Sequence, residues 1–65
     1  MRNSGLKRFL LFTTPVGGGL KNYVASYETR EDAIGMAEKL KSQNPTRWQV
    51  IDNLTSEVVA EDPGV

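Results

Sequence analysis

The sequence predicts an α+β domain of ββαββ order: a four-stranded antiparallel sheet, strands ordered 2-1-3-4, with one helix packed on one face. Two β-type stretches, "KRFLLFT" and "NYVASY", flank a glycine-rich tip. One helical pattern follows, with a capping residue at its start and a proline at its end. Two further β-type stretches, "RWQVID" and "EVVAE", close the chain around the polar turn "NLTS".

Lys7–Thr13 is short, apolar and bounded by "TTPVGGG", the pattern of a buried strand. Asn22–Tyr27 alternates with period two, which sets Tyr23, Ala25 and Tyr27 on one face and Val24 and Ser26 on the other. The Pro15–Leu20 segment joins the two as a hairpin. Thr29 is a good N-cap, Asp32 three residues later approximates a capping box, and Glu31 and Asp32 suit the positive end of the helix dipole. Ala33, Ile34, Met36, Ala37 and Leu40 form one apolar stripe. Asn44, expected in a left-handed cap, and Pro45 stop the helix. Arg47–Asp52 and Glu57–Glu61 complete the sheet. A helix long enough to cross the sheet returns the chain, so the third strand runs parallel to the second and antiparallel to the first. The first strand is the most apolar and takes a central place.

Sixty-five residues make one domain, 1–65, with 1–5 and 62–65 expected as disordered ends. At 38% hydrophobic residues the chain is globular with a thin core. It holds neither cysteine nor histidine. Disulfides, thiolate metal sites, the commonest general base and the commonest metal ligand are therefore absent, and no cofactor or metal is expected. No apolar run is long enough to span a bilayer. The start, "MRNSGLKRFLLFTTPV", is basic then apolar like a signal peptide, but "TTP" interrupts it and no small-residue cleavage site follows. It reads as mature structure, and the expected setting is cytoplasmic.

Net charge is zero but unevenly placed: Arg2, Lys7, Arg8, Lys21 and Arg30 stand against Glu28 alone in residues 1–30, while the acidic groups dominate the remainder. Such polarity can steer a partner without forming the dense basic patch of a nucleic-acid binder.

Both sheet faces carry large apolar groups, and one helix covers only one of them. Phe9 and Leu11 oppose Leu10 and Phe12, and Trp48 and Val50 oppose Gln49 and Ile51. In the fourth strand Val58 and Ala60 are set against Val59. An uncovered apolar face of this kind marks a contact surface. The alternative is a twisted sheet shielded by loops and by long Lys and Arg stems.

Gly17, Gly18 and Gly19 lead into a strand rather than a helix N-terminus, which favours a turn over a phosphate cradle. Asn53-Leu54-Thr55 matches the glycosylation pattern but sits in a hairpin turn. The aromatics Phe9, Phe12, Tyr23, Tyr27 and Trp48 suit a core better than a nucleic-acid stacking platform. The carboxylates Asp52 and Glu57 flank one turn, and Glu31 and Asp32 open the helix; these are expected at exposed positions with structural work to do. Gly35 stands opposite the helical stripe, where glycine is less stable than alanine by about 1 kcal/mol.

The run "SYETREDAIGMAEKLKSQNPTRWQVIDNLTSEVVAE" has an aromatic strand, a threonine-capped helix rich in glutamate and alanine, then W-x-V-I-D, a turn and E-V-V. In this it resembles small ββαββ proteins of unknown function from bacteria and their phages. Ser56 stands where that pattern has the glycine of an x-T-G turn. The helix entry also resembles the sheet domains associated with ribonuclease H, which bind duplex RNA, without their basic surface. Neither resemblance implies an activity.

These readings lead to a small non-catalytic protein-binding module, an adaptor, modulator or inhibitor, binding itself or another protein. The candidate contact set is Phe9, Leu10, Leu11, Phe12, Tyr23, Trp48 and Ile51, with Gly17, Gly18 and Gly19 at the rim. The less favoured reading is a nucleic-acid module using the sheet aromatics together with Lys7, Arg8, Lys21 and Arg47.

Overall fold

A computed structural model describes residues 7–62. The strands are β1 (Phe9–Pro15), β2 (Asn22–Tyr27), β3 (Thr46–Asp52) and β4 (Val58–Glu61), with the helix α1 (Arg30–Gln43) between β2 and β3. They form one antiparallel sheet in the order β2-β1-β3-β4, with α1 packed on one face. The first strand begins two residues later than its sequence pattern indicates and runs on to Pro15, which pairs with Thr46. Residues 1–5 and 63–65, expected as disordered ends, lie outside the described residues. Asp62, expected to be loose as well, is instead held by Lys41 in an ion pair of 2.6 Å.

The core lies between sheet and helix. Leu11, Val50, Ala33, Ala37 and Trp48 are buried, and Phe9, Tyr27, Ile34, Met36, Leu40, Val59 and Ala60 pack around them. The small residues Ala33 and Ala37 let α1 approach the central strands closely. Thr29 caps the helix, its hydroxyl oxygen accepting from the Asp32 N–H at 3.1 Å. At the other end Asn44 is extended (φ −146°, ψ 138°), not left-handed, although its N–H still donates to the Leu40 carbonyl. The physical reason is Pro45, whose ring pushes the preceding residue out of helical and into extended geometry.

The edge strands depart from simple alternation. Leu11 pairs with Ala25 but Phe12 pairs with Tyr23, so a bulge at Val24 separates them. Tyr23 consequently faces away from the helix, beside Phe12, while Ala25 and Tyr27 face toward it. The fourth strand behaves alike: Val50 pairs with Ala60 and Ile51 with Val58, which sets Val58 and Ala60 on opposite faces and Val59 against the core. Bulges of this kind twist sheet edges and discourage uncontrolled strand pairing.

Gly18 and Gly19 take φ of +108° and +122°, and the Gly18 N–H donates to the Pro15 carbonyl at 3.0 Å. The tip is thus a turn that leads into β2, in the conformations glycine adopts without strain. Ser56 is left-handed at φ 64°, at the site where the resembling pattern carries glycine.

Gly35 lies on the exposed face of α1, and an added Cβ there meets nothing within 4 Å. Gly35→Ala is expected to raise stability by about 1 kcal/mol in urea unfolding. A loss of stability would mean that the outer helix face is more constrained than its surroundings indicate.

Candidate functional site: the open face of the sheet

Register fixes what the helix leaves uncovered. Residues paired across an antiparallel ladder share a face. Toward the start of β1, Leu10 lies between Ser26 and Ile51, and Ile51 is followed by Val58. One dipeptide further along, Phe12 lies between Tyr23 and Gln49, and Gln49 is followed by Glu61. Thr14 and Arg47 pair beyond that. None of these residues belongs to the helix-side core.

The face is therefore an apolar field with a mixed-charge margin. Phe12 and Tyr23 meet edge-on, ring centroids 5.8 Å apart. Tyr23 and Val58 are each 48% exposed. The Lys21 ammonium lies 5.7 Å from the Phe12 ring centroid, so one lysine partly roofs the field. Thr14, Lys21, Arg47, Gln49 and Glu61, together with Trp48 and Asp62 from the helix side, line a groove of about 280 Å³ at this end. Among the described residues, Lys21, Arg47 and Glu61 take part in no ion pair. Gln49 extends toward Glu61, with 3.5 Å between its Nε2 and the carboxylate, while its own Oε1 is buried without a hydrogen-bond partner.

The expected contact set divides accordingly. Leu10, Phe12, Tyr23 and Ile51 share the open face. Leu11 and Trp48 are buried under the helix, at 0% and 5% exposure, and Phe9 packs against the same core, so these three cannot join a sheet-face contact. Gly17, Gly18 and Gly19 are exposed beyond the Pro15 end of β1. Val58 was missed because a four-residue strand with a bulge defeats period-two reading; Lys21 and Glu61 sit at the margins.

The basic residues do not converge. Lys7 and Arg8 stand at the start of β1, whereas Lys21 and Arg47 lie near its end. Arg8 is moreover committed to Asp52, with Nη2 3.0 Å from Oδ2 and Nε 3.3 Å from the same oxygen. Asp52 is not at an exposed turn position: it is 4% exposed and also accepts from the Leu54 N–H at 2.8 Å. The Arg8 guanidinium, and then the Leu54 N–H, hold its carboxyl below the usual carboxylate range, while burial opposes them.

A depressed native pKa means that the unfolded chain binds the proton more readily. The stabilisation is complete above the unfolded value of about 3.9 and disappears as pH falls through the native one. Asp52→Asn is therefore expected to be less stable at neutral pH and to show a shallower stability loss between about pH 5 and pH 2, on the order of one proton's linkage. Denaturant midpoints across that range check it; parallel acid limbs would show that Asp52 is not the titrating group.

Glu31 and Asp32 are exposed on the first turn of α1, as expected. A second groove of about 300 Å³, lined by Glu38, Lys41, Ser42, Trp48 and Asp62, lies toward the helix end. Among the described residues no cluster of three or more His, Cys, Asp or Glu could hold a metal ion. No helix there is long and apolar enough to cross a membrane. Comparisons with protein-family models, with curated proteins and with solved structures each return no match.

Proposed function

We propose that this domain is a non-catalytic protein-binding module that docks through the open face of its sheet. The observation that carries this reading is the gathering of Leu10, Phe12, Tyr23, Ile51 and Val58 on the face opposite α1. Contiguous apolar surface with a polar margin has the anatomy of a contact site, and aromatic groups near its middle are what interfaces use as anchors. The carboxylates suit the same reading: Asp52 and Asp62, whose side chains are only 6% and 5% exposed, are each engaged by a cation, Arg8 and Lys41.

The test is affinity capture from cell extract with the wild-type chain and with Ile51→Thr, through nuclease and high-salt washes. Retention of a discrete protein by wild type and its loss from Ile51→Thr is the expected result. Nucleic acid released by salt would instead favour a phosphate-binding role for Lys21 and Arg47.

A further inference from the structure

We infer that the open face docks on the open face of a second copy of this chain, sheet against sheet, about a two-fold axis running along the strands. The inference rests on the reading of that face as a docking surface and names its occupant.

Such an axis keeps each cross-strand row opposite itself while exchanging β1 with β3 and β2 with β4. The register then makes definite pairings. Leu10 of one chain meets Ile51 of the other, twice over, so the most apolar row covers itself. Lys21 lies one row beyond Glu61, but its ammonium reaches back over Phe12, in Glu61's own row, on the side that the axis sets against β3 and β4 of the second copy. Each has no ion pair within its own chain among the described residues. The two-fold forms this Lys21–Glu61 contact twice. Phe12 and Tyr23 lie over Gln49 and Glu61 of the second copy, so the aromatic pair covers the polar half of its own row.

The perpendicular in-plane axis reverses the rows. It would press Leu10 and Ile51 onto Thr14 and Arg47, desolvating a guanidinium against aliphatic groups. The strand-parallel axis is also compatible with the aligned packing of sheets, about 10 Å apart at about −30°. Being isologous, it closes at two chains and leaves no sticky surface to propagate.

The sheet is small. Three strand spacings of about 4.8 Å by five residues of about 3.4 Å give each face roughly 250 Å² in projection, about 500 Å² for the two copies before side-chain relief is added, which is small for a specific interface. The dimer is accordingly a weak one.

Sedimentation equilibrium over micromolar to millimolar chain concentration tests this, with wild type, Lys21→Glu, Glu61→Lys and an equimolar mixture of the two variants. Both positions are exposed, so folding survives, and circular dichroism verifies it. Each variant alone places like charges together twice and is expected to dimerise at least about tenfold more weakly than wild type. In the mixed dimer both contacts again join one acidic and one basic side chain, one of them with the charges exchanged, which restores association to near the wild-type level. A wild type that remains monomeric to millimolar concentration, or a mixture no tighter than either variant, overturns the inference. Should the chain be monomeric while Ile51→Thr still abolishes capture of a different protein, only the second copy is ruled out. If capture is also insensitive to Ile51→Thr, the docking face itself is wrong.

Discussion

Leu11→Ala is expected to remove most of the domain's stability at room temperature. Leu11 is fully buried in the central strand, paired with the equally buried Val50 and covered by the helix. Truncating such a leucine removes its transfer free energy and leaves a cavity, together about 3 kcal/mol. A single core of this size supplies only about 3–5 kcal/mol of stability in all. Neighbouring side chains cannot collapse into the space easily, because Ala33 and Ala37 have nothing further to extend toward it. Far-ultraviolet circular dichroism with urea titration reads the effect directly. A midpoint close to wild type would mean that the helix does not seal this face.

Phe12→Thr, one residue along the same strand, is expected to do the reverse. Its ring faces away from the helix, against Tyr23 and under Lys21. Threonine keeps a good strand former in place. Stability should fall by about 1 kcal/mol, the scale of one lost aromatic pair. Binding of the docking partner should fall by about 2 kcal/mol, roughly 30-fold, since a central aromatic is the usual anchor of an interface. The two neighbours thereby separate folding from function: a domain that loses stability at Leu11 and affinity at Phe12 has one face for each.

That division was only half legible in the sequence. Period-two alternation shows that Leu10 and Phe12 oppose Phe9 and Leu11, and it shows that one helix cannot cover both pairs. It does not say which pair the helix takes. The clue was in β3, where Arg47 and Gln49 lie on the same side as Ile51 while Trp48 and Val50 lie on the other. A face that must tolerate a guanidinium and an amide is the uncovered one. The edge strands were misread for a different reason. Bulges at Val24 and in β4 insert a residue into the ladder and invert the alternation beyond it. Bulges arise from pairing between strands, so a strand read alone carries no sign of them. Tyr23 and Val58 reached the open face by this route.

Asp52 was hidden similarly. At the end of "RWQVID" it looks like a turn acid, yet Phe9 pairs with it and Arg8 folds back to it from the start of β1, 44 positions away in sequence. The helix was the most legible element. Its cap, its stripe and its proline stop are local signals, and local signals survive folding. Only the backbone conformation of Asn44 differs, and Pro45 accounts for it.

The most direct test of the open-face account is site-specific photo-cross-linking in cells. A photoreactive residue is placed at Ile51, on the open face, or at Gly35, on the outer face of the helix, in otherwise unchanged chains. The account predicts a discrete protein adduct, either a second copy of the chain or another protein, from position 51 and none from position 35. Adducts from position 35 with none from position 51 would contradict it, and would move the docking surface to the helix.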